Sequence, residues 1–315
     1  MTEVPVISGE AVFAAVDAAT AVERTRLAFE RHARGEWVMP AKVYLDSPPH
    51  GDFRAMPARG DGFALLKWVT SFPANTARGL PVVRGAVLLS DATTGEELAV
   101  IECASVTSLR TGAAAAVSAQ ALAAEGARSV GVIGCGTNGA ASARCLGAVG
   151  YGPGVCADVR AEAAEALAAE LGWRAGAREE AAVQDVVVTV TPGESPVILA
   201  SELRAGQHLA VLGADAHGKR EVELEALARS RLFCDEWEQA SAGGELSGAV
   251  GAGLVGRDEV TELGRVLTGE AAGRRSEEEI TLFDSTGLAV QDLGITLAVW
   301  DAWRDGRLQA PTAIL

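Results

Sequence analysis

The stretch Val130-Gly131-Val132-Ile133-Gly134-Cys135-Gly136-Thr137-Asn138-Gly139 carries the residue types that can cradle a phosphate. The first four residues read as a strand, and the rest as a tight turn opening a helix. Gly134 permits the turn. Gly136 lets the backbone approach a pyrophosphate, and Gly139 lets the helix pack on the strand. The helix start, with Thr137 and Asn138, offers backbone N–H groups and a partial positive charge to that anion. Gly-x-Gly-x-x-Gly alone is a weak pattern in a chain with 36 glycines. Asp158, which ends the next apolar run, strengthens it, because a carboxylate there accepts hydrogen bonds from the ribose of a dinucleotide. It also repels a 2′-phosphate and so favours NAD. Arg160 could hold such a phosphate and keeps NADP as the alternative. The plainer reading is a glycine-rich turn in an α/β domain that binds no nucleotide.

Three charged residues could work on a substrate. Lys67 stands in an apolar run, Leu65-Leu66-Lys67-Trp68-Val69. By pattern alone such a lysine points outward from an alternating strand. Desolvated in a site, it could instead move a proton. Arg110 opens an alanine-rich helix, where it is either a surface arginine or a planar fork for a carboxylate. Asp215 follows the apolar strand His208 to Leu212, at the end where open α/β sheets bind ligands. An Asx-turn alone would also explain it. His32, His50, His208 and His217 have no metal-ligand spacing, so no metal is expected; His208 reads as structural, and a site role for His217 is weak.

The elements that must position these residues follow from periodicity. Residues 9 to 35 read as one helix. Residues 37 to 103 hold short β-rich runs at 43–45, 63–69, 85–89 and 98–101, with a hairpin turn at Asp91 to Gly95, and read as an antiparallel sheet. Residues 107 to 124 are alanine-rich and helical. From Ser129, apolar strands (129–133, 154–158, 185–191, 208–212, 231–234) alternate with helices at 137–149 and 161–171, the signature of a parallel sheet covered on both faces. A surface loop is expected over 269–279, a strand over 280–283 and a helix over 288–304 that returns to the first domain. The fold class is therefore α/β: a Rossmann-type doubly wound parallel sheet plus a discontinuous α+β domain with an antiparallel sheet. The expected domains are 1–122 with 290–315, for substrate binding and dimerisation, and 123–289 for the dinucleotide.

A length of 315 residues, 49% of them hydrophobic, suffices for two modest cores. The formal net charge of -15 disfavours nucleic-acid phosphates and anionic membranes as partners. Five cysteines without CxxC spacing read as buried free thiols in a reducing, cytoplasmic setting. Neither a signal peptide nor a membrane span is expected.

Along nearly its whole length the sequence resembles the ornithine cyclodeaminase/μ-crystallin family. The resemblance rests on Met56-Pro57-Ala58, on Lys67 with Phe72-Pro73-Ala74-Asn75 after it, and on Asp91-x-x-Thr94-Gly95. Thr107-Ser108-Leu109-Arg110-Thr111-Gly112-Ala113, Gly213-Ala214-Asp215-x-x-Gly218-Lys219-Arg220-Glu221 and Ser285-Thr286-Gly287-Leu288-Ala289-Val290-Gln291-Asp292 complete it. The resemblance implies that Lys67 and Arg110 hold the substrate carboxylate, with Arg110 also next to the cofactor. Thr111 would donate to a cofactor phosphate. Asp215 would contact the substrate nitrogen and handle its proton. Thr191-Pro192, Gly213 and the segment Ser285-Thr286-Gly287 would lie near the nicotinamide and its ribose. A homodimer built through the antiparallel domain is also implied.

Two positions depart from the family pattern. An arginine usual before the Met-Pro pair is replaced, with Lys42 the nearest basic residue, and lysine is a point donor rather than a fork. Diamine-using members resemble one another in an acid two positions before that methionine; here it is Arg54. If Arg54 faces the site, it repels a distal ammonium by about 1 kcal/mol or more; if it faces solvent, the argument lapses. The resulting expectation is an NAD(P)-dependent reductase of small α-imino acids, reversibly an amino-acid dehydrogenase. The alternatives are an ornithine or lysine cyclodeaminase using catalytic NAD and a cofactor-dependent binding protein with little catalysis.

Overall fold

The computed structural model describes residues 3–192, 195–214 and 218–314. In chain order the first elements are β1 (Glu3–Ile7), α1 (Gly9–Ala15), α2 (Ala18–Ala33), β2 (Val43–Ser47), β3 (Gly51–Gly60), β4 (Phe63–Ser71), β5 (Val83–Asp91), β6 (Glu97–Glu102) and α3 (Cys103–Leu122). Next come β7 (Val130–Ile133), α4 (Thr137–Ala148), β8 (Gly154–Ala157), α5 (Ala161–Leu171), β9 (Arg174–Ala175), α6 (Arg178–Ala182), β10 (Val186–Thr189) and β11 (His208–Val211). The last are α7 (Leu224–Ala228), β12 (Arg231–Cys234), α8 (Trp237–Gly243), α9 (Ser247–Gly251), β13 (Val260–Glu262), α10 (Leu263–Leu267), β14 (Thr281–Asp284), α11 (Ala289–Arg304) and β15 (Thr312–Ile314). Two compact units result: residues 1–110 with 288–315, and residues 111–287.

The first unit holds a seven-stranded sheet in the order β15-β1-β6-β5-β4-β3-β2. Strands β2 to β6 form an antiparallel meander, and β1 joins β6 in parallel. Alternation sets the faces: on β4, Leu65, Lys67 and Val69 are buried while Leu66 and Trp68 are exposed. Directly opposed residues share a face, so Arg54, Met56 and Ala58 of β3 lie on the buried side with Val69, Lys67 and Leu65. Helix α11 covers β3 and packs against α2. It is buried nearly all round, from Ala289 to Val299.

Two local differences from the sequence expectation have physical causes. The single helix expected over 9–35 is broken at Val16 and Asp17, because the Asp17 carboxylate accepts the amide of Thr20 at 2.8 Å and caps a new helix. Strand β3 had no strand signal, since Gly-Asp-Phe-Arg-Ala-Met-Pro-Ala-Arg-Gly lacks β-branched residues; pairing on both sides, with β2 and β4, forms it.

The second unit holds an eight-stranded parallel sheet, ordered β13-β12-β14-β11-β10-β7-β8-β9. β7, β8, β10, β11 and β14 are buried at every position, as a sheet covered on both faces requires. The chain runs outward from β7 through β8 to β9, then crosses back to place β10 on the other side of β7. The β7–β10 boundary is thus the switch point where such sheets bind ligands. His208 is fully buried; its ring nitrogens meet the hydroxyls of Ser118 and Thr281 at 3.0 Å each, and burial pushes its pKa down to about 3. It is a neutral structural residue. The irregular stretch 269–279 is pinned by Arg274, which donates to the carbonyls of Leu122, Gly206 and Gln207. All five cysteines are buried, and burial pushes the Cys103 and Cys145 thiols up to about 12. Among the described residues no helix is long and apolar enough to cross a membrane.

Candidate functional site

In the first unit, β4, α3 and α11 bring three charged side chains together. Lys67 stands on the buried face of β4, at 1% exposure. Its Nζ lies 2.6 Å from Oδ2 of Asp292 and donates to Oγ1 of Thr107 at 3.3 Å. Asp292, in the first turn of α11, is fully buried, and its Oδ1 lies 3.4 Å from Nε of Arg110. Cys103, Thr107 and Arg110 follow a helical stripe along α3, so one face of that helix meets the lysine. The short Lys67–Asp292 contact combines charge attraction with a hydrogen bond, and Arg110 Nε meets the same carboxylate at the longer distance. Burial pushes the Lys67 pKa below its ordinary value; Asp292 pulls it back up, and Arg110 adds to the lowering.

The outward reading of Lys67 is therefore incorrect for this fold. Turned inward on a buried face, it must answer a large desolvation penalty, and Asp292 is the answering charge. Two cations and one anion leave this cluster with a net positive charge. An anion that donates nothing and accepts several hydrogen bonds, such as a carboxylate, suits it.

Arg54 is on the same buried face, 8% exposed, so the solvent-facing alternative does not hold. Its Nε and Nη2 grip Oδ1 and Oδ2 of Asp52 at 2.6 and 3.1 Å, and its guanidinium sits 5.3 Å over the Tyr44 ring. Lys42 precedes β2 and is partly buried.

In the second unit, Gly134, Thr191, Gly213 and Ser285 gather at the carboxyl edge of the sheet. Ile133, Thr189, Val211 and Asp284 stand in one register row, and those residues follow it. Gly134 has φ +96°, and a Cβ there would lie 2.6 Å from the Val190 carbonyl oxygen. A Cβ on Gly139 would lie 1.8 Å from the Gly134 carbonyl oxygen. On Gly136 it would meet only open space, with Arg160 Nη2 4.0 Å away. That opening, beside a helix N-terminus that no side chain caps, is the cradle a pyrophosphate needs.

Thr137 and Asn138 open α4. Asp158 lies just past β8; its Oδ2 accepts the Cys135 amide at 2.7 Å and its Oδ1 the Arg160 amide at 2.9 Å, which fixes the turn against the next strand. The donor set fits a dinucleotide: an open glycine cradle, a helix start and an acid at the next strand end. Thr111 is buried on α3, and Thr191-Pro192 follow β10. Asp215 and His217 lie outside the described residues.

Two acids that organise this edge were not singled out from sequence. The buried Glu221 carboxylate accepts from Thr189 Oγ1 (3.1 Å), Thr191 N (2.6 Å), Thr191 Oγ1 (2.7 Å) and Gly213 N (2.7 Å), joining the ends of β10 and β11. Burial pushes its pKa up. The buried Asp235 accepts from Ser285 Oγ (3.2 Å), Thr286 Oγ1 (3.2 Å) and Gly287 N (2.7 Å) and so holds that segment. Glu221 closes the motif that begins at Gly213, beside Lys219 and Arg220, and the motif gives no sign that this acid is buried. Asp292 did carry a signal: it is the one charged residue between Leu288 and Trp300.

The profile of the Ornithine cyclodeaminase/mu-crystallin family matches residues 5–307. The chain belongs to this family. It is 40% identical to an alanine dehydrogenase of Archaeoglobus fulgidus over 306 residues, 95% of each chain. It is 36% identical to an iminosuccinate reductase of Paracoccus denitrificans over 238 residues, covering 72% of this chain and 73% of that one. Among solved structures, an archaeal alanine dehydrogenase dimer with bound NAD superposes with a TM-score of 0.94 at 38% identity, over 100% of both chains. Family membership agrees with the resemblance drawn from the motifs, and the close superposition agrees with the observed α/β architecture.

Proposed function

We propose that the chain is an NAD(H)-dependent oxidoreductase acting on the C–N bond of small α-imino and α-amino acids. The observation that carries this reading is the buried Lys67–Arg110 pair with its single anion, Asp292. Its net positive charge is suited to the α-carboxylate that every such substrate carries. Lys67 and Arg110 bind and orient that carboxylate, with Lys42 the third cation assigned to it. The Gly134 turn, the start of α4 and Asp158 hold the dinucleotide, which supplies or accepts the hydride when bound. Thr191, Gly213 and the 285–287 segment shape the nicotinamide end. Asp215 is assigned to the substrate nitrogen, where it steadies positive charge and moves a proton. NAD is favoured over NADP by Asp158, whose carboxylate would repel a 2′-phosphate; Arg160 tempers the preference.

The relatives named alanine dehydrogenase and iminosuccinate reductase support this class over a cyclodeaminase. So does Arg54. Both Asp52 oxygens are engaged by its guanidinium, so a distal ammonium would have to displace one cation to meet that acid. The first unit is proposed to bind substrate and to dimerise through the outer face of its sheet, where Leu66 and Trp68 are exposed and Phe53 stacks on Trp68. The dimer of the archaeal relative supports dimerisation, and the exposed aromatic face is our assignment of where it occurs.

The test is to incubate the protein with NADH or NADPH, ammonia and a panel of 2-oxo acids, and separately with ornithine plus NAD. Net NADH oxidation with a short 2-oxo acid is expected. Proline and ammonia from ornithine without net NADH would overturn the reading in favour of a cyclodeaminase.

A further inference from the structure

Asp292 is the feature of the molecule that the reaction scheme leaves unexplained. Its carboxylate is buried in an apolar stretch of helix, away from water. Among the described residues its ion-pair partners are Lys67 Nζ at 2.6 Å and Arg110 Nε at 3.4 Å. We propose that Asp292 is a positioning residue: its buried charge keeps Lys67 protonated beside Arg110, so that the two cations present a single net positive charge to one substrate carboxylate. The purpose assigned to Lys67 rests on the reading above; the charge relation does not.

The physical balance is direct. A lysine with 1% exposure loses its water, and desolvation favours the neutral amine. The groups facing it decide the outcome. From α3 come Arg110, which opposes the lysine's charge, and the neutral Cys103 thiol. Across β3 the register partner is Met56, with Arg54 two residues along, and across β5 it is Val87. Asp292 on α11 is therefore the full negative charge that opposes desolvation. Neutralising it leaves a buried lysine beside an arginine, which drives the proton off.

The chain has three lysines, Lys42, Lys67 and Lys219. Lysine labelled with ¹³C at the ε carbon gives three signals whose shifts report protonation. Lys42→Arg and Lys219→Arg assign those two and leave Lys67 by elimination. In the unmodified protein the Lys67 signal should sit at its charged position at pH 7. In Asp292→Asn, which preserves side-chain volume, its titration midpoint should fall by about one pH unit or more. An uncharged Lys67 at pH 7 in the unmodified protein would overturn the proposal even if the variant did not fold. So would an unchanged midpoint in a folded Asp292→Asn. The experiment reads protonation and not turnover, so a protein inactive on every 2-oxo acid would sink the proposed function and leave this result standing.

Discussion

Glu221 Oε2 accepts the Gly213 amide at 2.7 Å, and a Cβ on Gly213 would lie 2.6 Å from that same oxygen. The two residues interlock: the absence of a side chain at 213 is what admits the carboxylate. With Thr189 and Thr191 on the same carboxylate, four donors converge on one buried acid. Glu221→Gln leaves a single acceptor oxygen for them. Each buried donor left unpaired costs about 1–3 kcal/mol. Glu221→Gln should therefore unfold at lower denaturant and bind NADH more weakly, and Glu221→Ala should be worse on both counts. Chemical denaturation and NADH fluorescence titration measure the two effects. Unchanged NADH affinity in folded Glu221→Gln would remove Glu221 from the cofactor site.

Behind it stands a pH-sensitive neighbour. The Glu245 carboxylate accepts the amides of Glu221 and Val222, and burial pushes its pKa up to about 7. A carboxyl whose pKa is raised on folding contributes stability that is complete below its unfolded pKa of about 4.5 and is lost as pH rises through about 7. Glu245→Gln is uncharged throughout and keeps an acceptor oxygen. The difference in Tm between variant and parent should grow in the variant's favour as pH rises from 5 to 8. A difference that stays constant over that range would contradict the assignment.

The glycines of the turn should separate folding from binding. Gly136→Ala adds a methyl to open space, whereas Gly139→Ala drives one into the Gly134 carbonyl. Gly136→Ala is expected to keep its Tm and lose at least tenfold in NADH affinity, about 1.4 kcal/mol. Gly139→Ala should lose stability as well, by about 1–3 kcal/mol. Equal NADH affinity in Gly136→Ala and the parent would mean that the cradle holds no pyrophosphate.

The Asp52–Arg54 pair should bear on the substrate side chain. Asp52 occupies the fork of a largely buried guanidinium that a second substrate carboxylate could otherwise use. Asp52→Asn is expected to raise turnover of oxaloacetate plus ammonia relative to pyruvate plus ammonia by about tenfold. An unchanged ratio would place Arg54 away from the substrate side chain.

Much of this site was legible in the residues. Gly134, Gly136 and Gly139 announce their turn through spacing, and the apolar strands before and after it announce the parallel sheet. Lys67 is the opposite case. Its run of apolar neighbours is the same whether it faces water or the core, and the choice is made by Asp292, more than two hundred residues away. Arg54 was ambiguous for the same reason, because the strand that carries it has almost no strand propensity and takes its register from its neighbours. The burial of Glu221 and Asp235 was not legible, because a buried acid is recognised by the donors converging on it, and those donors come from distant segments. Local periodicity records which elements form; it does not record which charges meet across them.

The central claim is that Lys67 and Arg110 receive the carboxylate of an imino or amino acid that exchanges hydride with NAD(H). The most direct measurement is NADH oxidation, followed at its absorbance band, with ammonia and a short 2-oxo acid, in the parent protein and in Lys67→Met. The account predicts turnover in the parent and a loss of about 10²-fold or more in the variant, with NADH affinity retained. Undiminished turnover in Lys67→Met would contradict it.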